Sequence, residues 1–344
     1  MPLNYTYGTL PWICGNRWNR SWTAGRLEVS TQPGSSPAGS GWATWMRAGA
    51  RVTERRSLMT NELPGGVLSL AEDLALTRVG YGAIQLAGPV AWGPPRDRDE
   101  AIAVLRAVVD AGITHIDTSD YYGPHVVNDL IREALHPYPQ QLRIATKVGA
   151  RRTPDRGWPA ALSRPELVQA VHDNLKRLDV PALDLVNLRM TDTLASSDIV
   201  APFTVLAELR EQGLIRHLGV SNVSLGQVQA AREIAPVVAV QNQYNIAFRQ
   251  DDELVDYCAS HDIAFVPFFP LGGFRPLQVQ ALDQVARDLG CTPRQVALAW
   301  LLHRSPSMLL IPGTSRVAHL HENIRAATIE LPDAALDTLD AIAG

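Results

Sequence analysis

From Arg78 to the end of the chain, short runs rich in valine, isoleucine and leucine alternate with longer amphipathic stretches, and this alternation restricts the fold more than any other feature. Strands are expected at residues 78–85, 113–116, 142–147, 183–188, 214–220, 237–241, 263–266 and 308–311. Helices are expected at 97–111, 126–135, 163–178, 202–212, 225–234, 252–260, 277–289, 293–303 and 317–326, with a last short one from Ala334. Two of them carry clear start signals: Ser163 with Pro165 and Glu166 has the pattern of a capping box, and Thr292 precedes Pro293. Strands and helices in strict alternation call for a parallel sheet. Eight such units in a 344-residue chain match a (β/α)8 TIM barrel, which takes ~250 residues before insertions. The rival, a doubly wound dinucleotide fold, needs GxGxxG after an early strand. Gly80-Tyr81-Gly82 comes nearest, but position 85 is Gln and no helix follows directly. The barrel is the better reading.

Ahead of the first unit, residues 65–77 read as a small hairpin, with Val67-Leu68-Ser69-Leu70, a turn at Glu72 and Asp73, and Leu74-Ala75-Leu76. Residues 1–58 are of another character. They hold five of the eight tryptophans without periodicity, a Pro/Gly/Ser-rich stretch at 32–41, and an excess of arginine over carboxylate. Two readings are open, a disordered extension or sequence upstream of a true start at Met59, and the second is favoured; residues 59–344 form the barrel domain. The net charge of −4 supplies no basic field for nucleic acid or anionic lipid. No apolar run approaches the ~18 residues of a membrane span. Three scattered cysteines without a CxxC pair exclude a zinc ribbon, argue against a disulfide framework and suit the cytoplasm. No metal site is expected.

In such a barrel, residues at the C-terminal ends of different strands meet at one mouth. Here those ends carry Asp117 with Tyr122 in the loop behind it, Lys147, Arg189, Ser221 with Asn222, and Gln241. An isolated Asp at a strand end is as readily a turn cap as a catalytic group; the convergence with Lys147 separates the two. A free phenol titrates near ~10, and a neighbouring ammonium, itself fixed by a carboxylate, favours phenolate. Asp117, Lys147 and Tyr122 make such a chain, suited to general-acid protonation of a carbonyl oxygen as hydride reaches carbon. The chemical alternative is Lys147 as a Schiff-base nucleophile.

Five motifs in order carry a resemblance to a known family: residues 116–123 (Ile-Asp-Thr-Ser-Asp-Tyr-Tyr-Gly), Thr146-Lys147, Gly219-Val220-Ser221-Asn222, Ile311-Pro312-Gly313, and His319-Leu320-x-Glu322-Asn323. Together they resemble the aldo-keto reductases, from about Leu63 to the C-terminus. The resemblance implies a barrel closed at the bottom by an N-terminal hairpin, NADPH as cofactor, and a small carbonyl compound as substrate. It implies Asp117, Tyr122 and Lys147 as catalytic residues, with Tyr122 the proton donor. It also implies Ser221, Asn222 and Gln241 at the nicotinamide carboxamide, Phe268 stacked on the nicotinamide, and Leu271 lining the cofactor. Gly313, Thr314, Arg316, His319, Glu322 and Asn323 fall around the adenosine phosphate, where a helix N-terminus binds anions.

The sequence departs from the family at two places. Where a histidine is usual it has Asn187-Leu188-Arg189. Arginine keeps its proton near neutrality, so Arg189 is expected to donate to the carbonyl oxygen or orient the substrate rather than shuttle a proton; a structural pairing with a carboxylate such as Asp192 is the alternative. Gly313 and His319 stand where lysine and arginine are common, which leaves Arg316 for the 2′-phosphate and NADH as an open alternative. Residues 81–89, 93–98 and 266–274, with the Asn-Leu-Arg variant, resemble a bacterial branch that includes pyridoxal reductases (pyridoxine 4-dehydrogenases). Pyridoxal is therefore the expected substrate, with Trp92, His125 and Arg189 as contacts. Another carbonyl, or a low-turnover NADPH-binding redox-sensing subunit, is the alternative. A monomer or weak homo-oligomer is expected.

Overall fold

The chain is described by a computed structural model over residues 63–191, 198–273 and 280–343. The expectations for residues 1–58, for Asp192, for Phe274 and for the start of the helix at 277–289 lie outside these residues.

β1 (Val67–Ala71) and β2 (Leu74–Thr77) form an antiparallel hairpin. β3 (Tyr81–Gly82), β4 (His115–Asp117), β5 (Arg143–Val148), β6 (Leu183–Arg189), β7 (Ile215–Ser221), β8 (Val237–Gln241) and β9 (Ala264–Phe265) then pair in chain order, every neighbour parallel. Between and after them come α1 (Arg98–Asp110), α2 (Val126–Leu135), α3 (Arg164–Leu178), α4 (Val200–Glu211), α5 (Leu225–Arg232), α6 (Asp252–Ser260), α7 (Gln280–Leu289), α8 (Pro293–Arg304), α9 (Val317–Arg325) and α10 (Asp333–Asp340).

The start signals act as expected. Glu166 accepts from both the backbone N–H and the hydroxyl of Ser163, at 3.2 and 2.6 Å. Thr292 and Gln295 exchange bonds of 3.0 and 3.3 Å. Each pair satisfies amides that a helix N-terminus otherwise leaves unpaired.

Two expected strands differ from the reading. The strand at 78–85 is confined to Tyr81–Gly82 and turns into a single 3-10 turn at Ala83–Leu86. The strand at 308–311 is a bridging segment rather than a ladder, yet it closes the barrel. It joins β9 through Leu309 N to Phe265 O at 2.9 Å, and the β3 side through Gly80 N to Leu310 O and Leu310 N to Arg78 O, both 2.7 Å. The physical reason is close approach at the seam. A Cβ on Gly82 would lie 2.5 Å from Ile311 O, and one on Gly313 would lie 2.7 Å from Gly82 O. Only glycine permits that contact, and it leaves little room for a regular ladder.

The apolar residues divide into two clusters. The larger lies between the strands and the helices. The smaller fills the barrel from below: Leu74 and Leu76 of the hairpin pack on Ala145, Leu185, Ala239, Val266 and Leu309. Asp73 in the hairpin turn accepts from His217 at 2.9 Å and, through its carbonyl, from Arg143 at 3.3 Å, tying the hairpin to β7 and β5. The hairpin therefore plugs the end of the barrel opposite the strand C-termini.

Candidate active site

Alternation along each strand decides what faces the barrel axis. His115 and Asp117 on β4, Leu185 and Asn187 on β6, and Ala239 and Gln241 on β8 line the enclosed space, with Ala145 two residues before Lys147 on β5. The uppermost inward layer is thus Asp117, Lys147, Arg189, Ser221 and Gln241, each at or beside the end of its strand.

Asp117 and Lys147 are 3% and 4% exposed, which excludes water as the main partner of either charge. They pair directly, Lys147 Nζ to Asp117 Oδ1. Lys147 Nζ also donates to Thr118 O at 3.1 Å, and Gln241 Nε2 donates to Asp117 Oδ2 at 2.9 Å. Lys147 Nζ lies 5.2 Å from the centroid of the Tyr122 ring. The chain of carboxylate, ammonium and phenol is therefore assembled, as expected.

Its electrostatics differ from the expectation. Burial is the largest influence on Tyr122 and holds its phenol above the ordinary range; Asp117 adds to this, and Arg189 alone opposes it. The ammonium was expected to favour phenolate; burial of the charged form, with the Asp117 charge, instead sets the direction. A phenol that keeps its proton is the form a general acid needs.

Arg189 ends β6 at the mouth. Its Nη1 donates to Ser221 Oγ at 3.0 Å and its guanidinium lies 4.6 Å from the centroid of Phe268. Phe268 and Phe269 meet edge to face. Asn222 adopts φ 59 and donates to Met190 O at 2.7 Å, which fixes its amide at the mouth. Gln241 Oε1 is buried with no partner, so this residue still offers an acceptor.

Of the expected adenosine-phosphate residues, Gly313, Thr314 and Arg316 lie just ahead of α9, and His319, Glu322 and Asn323 lie along it. Arg316 is its N-cap and is exposed, Thr314 Oγ1 accepts from Arg316 N at 3.2 Å, and Tyr81 donates to Thr314 O at 2.6 Å. Glu100 of α1 accepts from Val317 N at 3.0 Å and so caps the start of α9. Glu322 accepts from Thr292 Oγ1 at 2.9 Å, and Asn323 is buried. His319 is half-buried on α9, and Gly313 and Leu271 are partly exposed.

Trp92 is joined to the site loop through its bridge with Gly123. His125 is placed elsewhere: it precedes α2 at φ 65, and the charges that act on it are Arg177, Asp173 and Asp129 of the outer helices. The structure does not bring it among the site groups.

Reading the sequence missed the second inward layer. His115 sits beneath Asp117 with both ring nitrogens buried and unpartnered, and burial pushes its pKa down to about 4, so it is neutral. Asn187 lies across Gly219, whose Cβ would come within 2.1 Å of Asn187 Oδ1. Asp120 was also missed; burial and then Asp173 raise its carboxyl to about 7. The signal for His115 and Asn187 was their spacing, each two residues before a site residue on the same strand.

Residues 78–343 match the Aldo/keto reductase family. The chain belongs to the aldo/keto reductase family. Within it, the chain is 57% identical to pyridoxine 4-dehydrogenase of Escherichia coli over 272 residues, 78% of this chain and 95% of that protein. Among solved structures, it resembles a thermostable aldo-keto reductase in complex with the inhibitor epalrestat, with TM-score 0.69 and 30% identity over 80% of this chain and 99% of that one. An aldo/keto reductase from Klebsiella pneumoniae in complex with NADP and acetate shares the fold, with TM-score 0.67 and 24% identity over 80% of this chain and 94% of that one. As an aldo/keto reductase, the chain is an oxidoreductase. No helix among the described residues is long and apolar enough to cross a membrane.

Proposed function

We propose that this aldo/keto reductase uses NADPH to reduce pyridoxal to pyridoxine, with Tyr122 giving the proton to the carbonyl oxygen. The observation that carries the chemistry is the buried assembly of Asp117, Lys147 and Tyr122 at the strand ends. When bound, the nicotinamide supplies hydride. The residues present fit it: Gln241 has an unpartnered buried acceptor for a carboxamide N–H, Ser221 is its partner across β7 and β8, and Asn222 N donates to Gln241 O at 3.0 Å. Arg316 is exposed at the start of α9, where it would meet a 2′-phosphate. Identity of 57% to a pyridoxine 4-dehydrogenase supports the substrate, and the Klebsiella relative's NADP supports the cofactor.

In the reaction, burial keeps the Tyr122 proton in place until negative charge develops on the substrate oxygen. Lys147, anchored by Asp117 and Thr118 O, presents a fixed positive charge to the phenolate that results. Arg189 donates to the same oxygen. A Schiff-base role for Lys147 fits poorly, because its Nζ is engaged by Asp117 Oδ1 and Thr118 O and would have to leave both to reach a carbonyl carbon. A cytoplasmic enzyme, monomeric or weakly self-associating, completes the proposal.

The test is NADPH oxidation with a carbonyl panel that includes pyridoxal. Pyridoxal reduction with the highest kcat/KM supports the proposal. Tight NADPH binding without turnover of any carbonyl would favour the redox-sensing alternative, and a strong preference for another carbonyl would replace the substrate. A second expected result concerns Arg189→Ala: kcat/KM falls by about ten- to a hundredfold, less than for a sole oxyanion donor because Tyr122 still donates. A change within about threefold would leave Arg189 without the assigned role.

A further inference from the structure

The loops framing the mouth hold a construction that the chemistry above leaves unused, centred on Arg152 beyond the end of β5. Its guanidinium carbon lies 3.7 Å from the ring centroid of Trp158 and 5.1 Å from that of Trp92. Its Nη1 donates to Ala91 O at 3.0 Å, and its Nη2 to Val90 O at 3.3 Å and Arg156 O at 3.2 Å. Val90 and Ala91 sit at φ 61 and 52. That is the left-handed region, where the Cβ of an L-residue crowds the following carbonyl and a β-branched side chain such as valine is rare. The two carbonyls that Arg152 holds therefore belong to the two strained residues. Backbone of this kind persists only where its surroundings over-determine it, and it gathers at functional sites.

The same turn is tied to the proton donor. Gly123 N, directly after Tyr122, donates to Ala91 O at 3.1 Å, and Gly93 N donates to Gly123 O at 2.9 Å. Trp158 meets Tyr121 edge to face with centroids 5.6 Å apart, and Tyr121 meets Tyr122 in the same way at 5.5 Å. One guanidinium is thus bonded to the backbone of two loops and packed against an indole from each.

We propose that Arg152 is a positioning residue that pins the Val90–Ala91 turn and holds Trp92 and Trp158 as an aromatic wall at the mouth, so that it sets selectivity for aromatic over aliphatic aldehydes. This rests on the carbonyl-reductase reading of Tyr122. A flat ring gains most from indole faces held in place, whereas a short aliphatic chain gains little from them. Arginine suits the task because its planar fork bonds several carbonyls at once while its faces stack; a lysine ammonium can donate to a carbonyl but has no planar face to lay against an indole.

The test compares pyridine-4-carbaldehyde with butanal, both uncharged, in steady-state reduction by the wild type, Arg152→Ala, Arg152→Lys and Trp158→Leu, with NADPH binding and thermal melting as controls. For each variant KM for the aromatic aldehyde should rise about tenfold and KM for butanal less than about twofold. NADPH affinity should stay unchanged and kcat should remain within about threefold. Arg152→Lys keeps the charge and should still behave like Arg152→Ala. Trp158 is partly exposed, so Trp158→Leu leaves the core intact and carries the test if Arg152→Ala does not fold. An equal loss for both aldehydes, wild-type selectivity in Arg152→Lys, or no effect of Trp158→Leu would overturn the proposal. Wild-type reduction of pyridine-4-carbaldehyde but not pyridoxal would remove the substrate assignment alone, while the variants still judge Arg152. Reduction of neither aldehyde by the wild type would overturn both.

Discussion

Tyr122→Phe is expected to lower kcat/KM for carbonyl reduction by about 10² to 10⁴, the range for removing a positioned general acid. NADPH binding and the melting temperature should barely change. The ring is buried and remains in phenylalanine, so the edge contact with Tyr121 is kept and only the hydroxyl is lost. That separation makes the variant informative. Burial and the Asp117 charge both hold the Tyr122 proton in place, with Arg189 the opposing influence. At neutral pH the phenol is therefore the acid, and no neighbour is arranged to replace it: Lys147 is committed to Asp117 and Thr118 O, and His115 is neutral beneath the site. Single-turnover reduction with fluorescence titration of NADPH checks the result. Activity within about tenfold of wild type would remove Tyr122 from the proton-donor role.

Lys147→Met should cost activity and stability together. Without its ammonium the forming phenolate loses its fixed counter-charge, and kcat is expected to fall by about 10³. The variant also strands Asp117, 3% exposed, with Gln241 as its remaining side-chain partner. Breaking a buried pair by removing one member costs about 3–5 kcal/mol, because the other charge stays buried. In a domain of this size that corresponds to a fall in Tm of about 5–10 °C. The pairing argument makes a sharper forecast. Adding Asp117→Asn to Lys147→Met should recover much of the lost stability and none of the lost activity, since it removes the stranded charge without restoring the ammonium. A double variant no more stable than Lys147→Met would show that the cost comes from packing instead. Thermal melts of the three variants decide between them.

Much of the scaffold was legible because it rests on local rules. The strand–helix alternation, the capping residues at Ser163 and Thr292 and the hairpin at 65–77 are each written in neighbouring residues, and each lies where expected. The two strands that differ, 78–85 and 308–311, are those that meet at the seam. Their form is governed by the approach of Gly82 to Ile311 O, a contact between residues more than two hundred positions apart. Asp117, Lys147, Arg189, Ser221 and Gln241 were legible as strand ends, because parallel strands of one barrel share a mouth. His125 shows the limit of that logic. It follows a site strand closely, yet a left-handed backbone at the start of α2 sets it among the charges of Arg177, Asp173 and Asp129.

By itself, the sequence determined which groups reach the mouth, since strand period and strand order depend only on local pattern and chain direction. The tertiary structure decided how those groups behave. Whether Tyr122 holds or releases its proton depends on how far water is excluded from it, and burial there outweighs the cation that its neighbours supply. The partner of Arg189, the neutral state of His115 beneath Asp117 and the stacking of Arg152 between two indoles arise from distant segments brought together. Desolvation and cross-loop contact are properties of the packed molecule, and no local stretch of sequence encodes them.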